Sequence, residues 1–539
     1  MEKRALIELL NQSQTQFATH RFLGCKGLEG FDWESYASVF QRAQCVKKEL
    51  DLSPHDIVAL AAKNSKEWVY IMLAVLASGA TLVPMYEGES EEALMHILED
   101  AKATHLICSN TQLLERLVCE KKSNLNDLSW KEAGDDLMFE SVDKDAIAFI
   151  LYTSGTTADP KGVPLSHQNI AYTIATLSTR FPLKESDRSL SFLPWAHSFG
   201  LIIELLTLCA NGASIGIAES VQTIIPNLVD VRPTILFSVP RLFSQFYTSV
   251  QKRAISEGAF SKQLFDDILS QKGGGVFFSI RKAIYKKKYI NRVRTRFGGE
   301  LKYAVSGGAA LSPETARFMD SIGIQVYEGY GLTETSAMIS FNLPDARKTG
   351  SVGVPICDIE IHKDTVDSED SKIGEICVKG EAVMSGYLNR PGLSFTDEGF
   401  FRTGDLGYLD SDGYLWISGR LKEQYKLSIG KYVAPARLEK ELHHSPYIEE
   451  LLIFGENRAF NIALVQLDEK YITEEGGQMR DRVLSSFEEI QGPLRAFEKV
   501  KDVLFVKLDL PEFRTQSGKL KRRKIIDFYA EEIRAVYEK

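Results

Sequence analysis

Short apolar blocks alternate with helix-like stretches through the first 350 residues of this 539-residue chain, and no other feature restricts its fold as strongly. The blocks DIVALAAK, TLVPMY, THLICS, AIAFILYTS, SIGIA, TILFSVP, LKYAVSG and IQVYEGYG each suit one strand. Strands that alternate with helical patterns predict parallel sheets covered by helices. Between Ser351 and Ser418 the texture changes to short alternating segments with turns at SDGY and DEGF, which predicts a smaller antiparallel region. A charged connector, RLKEQYK, follows Gly419, and the remainder carries its own strands, ELLIFG, ALVQL and VLFVKL. A chain of this length exceeds one hydrophobic core. The expected fold is α/β: a large N-terminal domain, 1–420, of two helix-covered mixed sheets with a small β subdomain at about 351–418, then a small α+β C-terminal domain, 421–539.

Composition narrows the class. Hydrophobic residues make 44% and charged residues 25% of the chain, as in ordinary globular proteins. The formal net charge of -9 argues against nucleic-acid binding, which normally shows as a basic domain. Seven cysteines without close pairs suggest neither a disulfide framework nor a zinc site. The opening MEKRALIELLNQSQTQFATHRF lacks the apolar core and cleavage site of a secretory signal, so a cytoplasmic location is expected. The uncharged run WVYIMLAVLASGATLVPMY, Trp68 to Tyr86, reads as helix, Gly-centred turn and buried strand rather than a membrane span. Peripheral contact with the inner face of a membrane stays open. RKAIYKKKYINRVRTR, Arg281 to Arg296, carries eight basic and no acidic residues, as the solvated face of a helix or as a docking surface for an acidic protein or anionic head groups.

Chemistry concentrates first in YTSGTTADPKG, Tyr152 to Gly162, which follows the strand-like AIAFIL. It fails the Walker A pattern, because its lysine follows proline and precedes glycine. Backbone amides and the hydroxyls of such a loop can still wrap phosphate oxygens, with Lys161 adding positive charge. GYGLTE, Gly329 to Glu334, sets an aromatic ring, a hydroxyl and a carboxylate in one turn, suited to a base, a phosphate and a hard cation. RTGDLG offers Asp405 to a ribose diol. SGRLKE follows, and TQSGKLKR places Lys519 behind a flexible Ser-Gly.

Taken in order, YTSGTTADPKG, PWAHSFG, YEGYGLTE, RTGDLG, SGRLKE and TQSGKLKR resemble the adenylate-forming, AMP-binding superfamily, from before Leu151 to about Arg522, and KEQYKLSIGKYVAPARLE with SPYIEELLIFGENR resembles its long-chain fatty-acid branch. The resemblance implies a reaction in two halves. ATP and a carboxylate give an acyl-adenylate and pyrophosphate, then a thiol takes the acyl group and AMP leaves. It further implies that Thr153, Ser154, Gly155, Thr156, Thr157 and Lys161 cover the β- and γ-phosphates. Gly307, Gly308 and Ala309 would line the adenine, with Tyr330 and Gly331 beside it. Thr333 would contact the α-phosphate, Glu334 and Thr156 would attend Mg2+, and Asp405 and Arg420 would hold the ribose. Lys519 would bridge the attacking carboxylate and the α-phosphate, His197 would stand at the mouth of the acyl pocket, and Lys422 would be the hinge of a mobile C-terminal domain.

Ala158 departs from the glycine usual at its position and would strain the loop if a positive φ were needed there. No acid follows PWAHSFG until Glu204, and the surroundings are aliphatic, so an apolar substrate, a medium- or long-chain fatty acid, is expected rather than an amino acid. The acceptor thiol belongs to holo acyl carrier protein or to coenzyme A. The basic stretch from Arg281, together with Lys519 to Lys524, favours the acidic carrier protein. A non-catalytic nucleotide- or lipid-binding module is the more distant alternative.

Overall fold

The computed structural model describes residues 4–130, 135–153, 160–258, 261, 263, 265, 291–363, 372–390, 394–471, 476–492, 494–514 and 520–538. They fall into two compact units, one of residues 1–359, 378–401 and 411–415, the other of 360–377, 402–410 and 416–539.

The first unit holds three mixed sheets. The largest runs Lys121–Asn124, His105–Cys108, Ile57–Ala61, Thr81–Met85, Ile147–Thr153, Lys161–Ser166 in spatial order. All its pairs are parallel except the last, which is a hairpin. The helix Lys66–Ala77 shows how sequence builds this layer: Ser65 caps it by accepting from Trp68 N, and every residue from Trp68 to Ala77 is buried. Gly79, at φ +71, then turns the chain into the strand Thr81–Met85. Trp68 to Tyr86 is thus the helix, turn and strand that its sequence suggests, and no described helix is long and apolar enough to cross a membrane.

A five-stranded sheet has Ile235–Ser238, Tyr303–Ser306 and Gln325–Tyr330 parallel, then Ser340–Phe341 and Val354–Pro355 antiparallel. A four-stranded sheet is ordered Phe31–Ser35, Arg21–Lys26, Ser214–Ile217, Arg188–Ser191. These two adjoin edge to edge, because Thr234 N donates to Arg188 O at 2.8 Å. Leu190, Leu236, Ala304 and Val326 from their strands share one core with Phe243 and Phe318.

In the second unit a sheet orders Asp358–His362, Gly374–Lys379, Phe401–Leu409 and Leu415–Arg420, with most of its residues in this unit. Ile448–Phe454 and Asn461–Leu467 pair antiparallel, and Val500–Phe505 adds in parallel. Side chains on a strand alternate between faces. Leu451 and Ile453 accordingly join Leu438, Met479 and Phe487 in one core, whereas Leu452 and Phe454 join Ile525 and Ile533 in another. Helices on both faces explain why Leu451 to Phe454, LLIF, is apolar without interruption.

Candidate functional site

In parallel α/β sheets, ligands bind beyond the carboxyl ends of the strands. Thr153, Ser306, Tyr330 and Ser191 end strands of the first unit, and the motif residues follow them directly. Thr153 and Lys161 are register partners and form the base of the first loop. Lys161 Nζ lies 5.1 Å from the centroid of the Tyr387 ring, within cation–π range. Ser154, Gly155, Thr156, Thr157 and the unusual Ala158 lie outside the described residues.

The GYGLTE turn is tightly closed. Ile339 N donates to Tyr330 O at 2.7 Å and Ala337 N to Leu332 O at 2.9 Å. A Cβ on Gly331 would stand 2.3 Å from the Ala337 carbonyl, so only glycine lets the chain pass there. Ser336 and Ala337 take φ of 49° and 67°, left-handed values that cost about 1–3 kcal/mol each in a non-glycine residue. Ser336 Oγ donates to Ala382 O at 2.9 Å and holds that conformation in a buried setting. The turn presents Thr333 and Glu334. Met384 N donates to Glu334 O at 2.8 Å, and Tyr387 Oη donates to Glu334 Oε1 at 2.7 Å. Burial, then the Glu334 carboxylate, pushes the Tyr387 phenol well above its usual range, so it remains a donor. Among the described residues no hydrogen bond engages Glu334 Oε2.

PWAHSFG forms the opposite wall. His197 sets its ring edge-on to Tyr86, with centroids 4.8 Å apart, and Tyr86 follows the strand Thr81–Met85. Ser198 Oγ is 3.4 Å from Thr333 Oγ1, which brings this turn to the GYGLTE turn. Asn64 fixes the turn from outside by accepting from Trp195 N at 3.0 Å and donating to Leu193 O at 2.7 Å. Trp195 itself is fully buried against Trp68 and is packing rather than an exposed gate. The π-helix Phe199–Leu206 that follows is apolar apart from Glu204. That carboxyl is wholly buried and takes the hydroxyls of Ser189 and Ser191 at 2.8 Å each. Burial pushes it up to about 8, against the lowering effect of the two serines.

After the strand Tyr303–Ser306, Gly307 N donates to Ser238 O at 3.3 Å, and the Phe199 ring fills the space a Gly307 Cβ would need. Gly308, at φ +77, and Ala309 are exposed. In the second unit Asp405 is buried, its N–H donates to Thr403 Oγ1 at 3.0 Å, and Arg420 Nε approaches Oδ1 at 3.0 Å. Lys422 is exposed in the short 3-10 helix Leu421–Glu423. Lys519 lies outside the described residues.

The first unit thus gathers Thr153, Lys161, His197, Thr333 and Glu334, and the second pairs Asp405 with Arg420. Sequence reasoning missed Tyr387, Tyr86, Ser198 and the burial of Glu204. The aromatic of VMSGYLNRP was the available signal for Tyr387. No group of three or more His, Cys, Asp or Glu that could hold a metal occurs among the described residues. A lone carboxylate with one open oxygen fits Mg2+, which takes one or two carboxylates and completes its shell from substrate phosphates and water.

The profile described as "AMP-binding enzyme" matches residues 13–388, and that described as "AMP-binding enzyme C-terminal domain" matches residues 422–539. A Mycobacterium bovis protein named long-chain-fatty-acid–CoA ligase FadD15 is 29% identical, over 91% of this chain and 89% of its own. Long-chain-fatty-acid–CoA ligase 5 of Rattus norvegicus is 28% identical over 94% of this chain and 84% of its own. The same fold occurs in the adenylation domain of a carboxylate reductase from Mycobacterium chelonae, with TM-score 0.82 at 20% identity over 100% of this chain and 92% of that one.

Proposed function

This chain belongs to the AMP-binding enzyme family, and from that premise we propose that it is an ATP-dependent ligase joining a medium- or long-chain fatty acid to coenzyme A, with release of AMP and pyrophosphate. The acceptor departs from the carrier protein that the sequence favoured. Relatives that align over nine-tenths of the chain are named for coenzyme A, and this outweighs a basic segment whose charges suit either acceptor.

For the acid, one observation supports an apolar substrate. The helix behind His197 is buried and aliphatic, and its acid, Glu204, is committed to Ser189 and Ser191. It therefore offers nothing to a substrate ammonium, which would need a paired charge on burial.

In the first half-reaction a fatty carboxylate oxygen attacks the α-phosphorus and pyrophosphate leaves. Two anions meet there, so preorganised positive charge lowers the barrier. Lys519 supplies it at the α-phosphate, where Thr333 also binds. Thr153, Ser154, Gly155, Thr156, Thr157 and Lys161 steady the departing phosphates. Mg2+, held by Glu334 and Thr156, supplies charge neutralisation when bound. Gly307, Gly308, Ala309, Tyr330 and Gly331 take the adenine, Asp405 and Arg420 the ribose, and His197 the carboxylate end of the acid. In the second half-reaction the thiol sulfur attacks the acyl carbon and AMP leaves. Residues 421–539 act as a lid pivoting at Lys422 between the two halves.

Labelled fatty acid, ATP and Mg2+, offered with coenzyme A or with holo acyl carrier protein, test the proposal. Acyl-CoA with stoichiometric AMP and pyrophosphate is expected. Acylation of the carrier protein alone would assign the other acceptor, and no AMP with any fatty acid would reject the ligase reading.

A further inference from the structure

The segment from Glu381 to Arg390 is strapped across the site in the first unit. Asn169 Nδ2 donates to Glu381 O at 2.7 Å and Val383 O at 3.2 Å. Ser336 Oγ holds Ala382 O, and Met384 N donates to Glu334 O. Leu388 N donates to Gly162 O at 2.9 Å, and Asn389 Nδ2 reaches Asp100 Oδ1 at 3.0 Å. One strap therefore clasps the GYGLTE turn with one end and the far side of the phosphate loop with the other. Tyr387 lies between these clasps and touches a charged group on each side.

We propose that Tyr387 is a positioning residue that couples metal binding at Glu334 to phosphate binding at Lys161, its hydroxyl orienting the carboxylate and its ring holding the ammonium. The inference rests on the roles given above to Glu334 and Lys161. Its physical basis is the division of labour within one side chain. The Tyr387 hydroxyl occupies Oε1 at 2.7 Å and so leaves Oε2 as the oxygen for a cation. Hydrogen bonds that orient a metal-binding carboxylate contribute about 10–100-fold in metal affinity. The ring face attracts Lys161 Nζ from 5.1 Å and limits where it can swing before phosphates arrive. Phenylalanine would lose the first contact and keep the second, whereas leucine would lose both.

The test titrates Mn2+ by electron paramagnetic resonance against wild type, Tyr387→Phe and Tyr387→Leu, each saturated with a non-cleavable α,β-methylene analogue of ATP. Binding of that analogue without metal is measured in parallel by calorimetry, with circular dichroism to verify folding. Tyr387→Phe is expected to weaken Mn2+ about 10-fold and to leave metal-free analogue binding within about 2-fold. Tyr387→Leu is expected to weaken both. Mn2+ affinity unchanged in Tyr387→Phe, or metal-free binding that falls in step with it, would overturn the coupling. Absence of metal-dependent nucleotide binding in the wild-type chain would instead reject the function on which the inference rests.

Discussion

Glu204 accepts a hydrogen bond from Ser191, thirteen residues earlier in the chain, at 2.8 Å, and Ser191 in turn accepts from the Trp195 indole at 3.1 Å. The indole proton occupies a lone pair of the Ser191 oxygen, so the Ser191 O–H points at Oε2. The folded carboxyl is raised to about 8 from an ordinary 4.5, so the folded state binds the proton more tightly than the unfolded chain does. Its contribution to stability is then complete below about 4.5 and falls by about 1.4 kcal/mol per pH unit until about 8. Glu204→Gln keeps the shape and removes the titration. Melting temperatures of both proteins are expected to lie closest at pH 5 and to diverge toward pH 8, with the wild type losing more; parallel curves would show that Glu204 does not titrate in this window.

The Arg420–Asp405 pair gives a second expectation. Asp405 is buried, and a hydrogen bond to a buried carboxylate contributes about 1.5–3 kcal/mol. If the ribose diol donates to this carboxylate, Asp405→Asn, which leaves a weaker neutral acceptor, weakens ATP about 10-fold and narrows the preference for ATP over 2′,3′-dideoxy-ATP. Calorimetry with both nucleotides checks this. A preference as large in Asp405→Asn as in the wild type would place the ribose elsewhere.

Gly331 is expected to tolerate no side chain. A methyl group 2.3 Å from the Ala337 carbonyl must push the backbone of a turn already strained at Ser336 and Ala337. Overpacking of this kind costs about 1–3 kcal/mol. Gly331→Ala should lower the melting temperature and the ATP affinity together. Gly308→Ala meets only Val239 at 3.9 Å, so its cost is that of its φ of +77 alone. Equal ATP affinity in Gly331→Ala and the wild type would contradict the steric reading.

How much of this could be read from sequence depended on the range of the interaction. Strand order along the chain was legible because each block, such as AIAFIL or ELLIF, carries its own apolar signature, and the helix, turn and strand from Trp68 to Tyr86 followed from one glycine. Thr333, Glu334, Asp405 and Lys161 were legible as motif members. Tyr387 was not, because its contact with Glu334 spans 53 residues and depends on a strap held by backbone bonds at Glu334 and Gly162. Glu204 was visible as an acid among aliphatic residues, but its serine partners sit on a neighbouring strand, and a π-helix with almost no polar residue leaves no periodic trace.

Lys519 separates the two half-reactions most sharply. On the proposed function its charge serves where the fatty carboxylate meets the α-phosphate, and a preformed acyl-adenylate no longer requires that meeting. Loss of one preorganised charge donor typically costs about 10²–10³-fold in rate. Lys519→Ala is therefore expected to slow fatty-acid-dependent pyrophosphate exchange by about 10²-fold or more, and to convert synthetic acyl-adenylate plus coenzyme A to thioester at nearly the wild-type rate. Lys161→Ala should act on the same exchange through its KM for ATP, since the proposed role of its ammonium is to steady the departing phosphates. Pyrophosphate exchange close to wild type in Lys519→Ala would remove the residue from the adenylation step, and equal loss of both half-reactions would point to a lid that no longer folds.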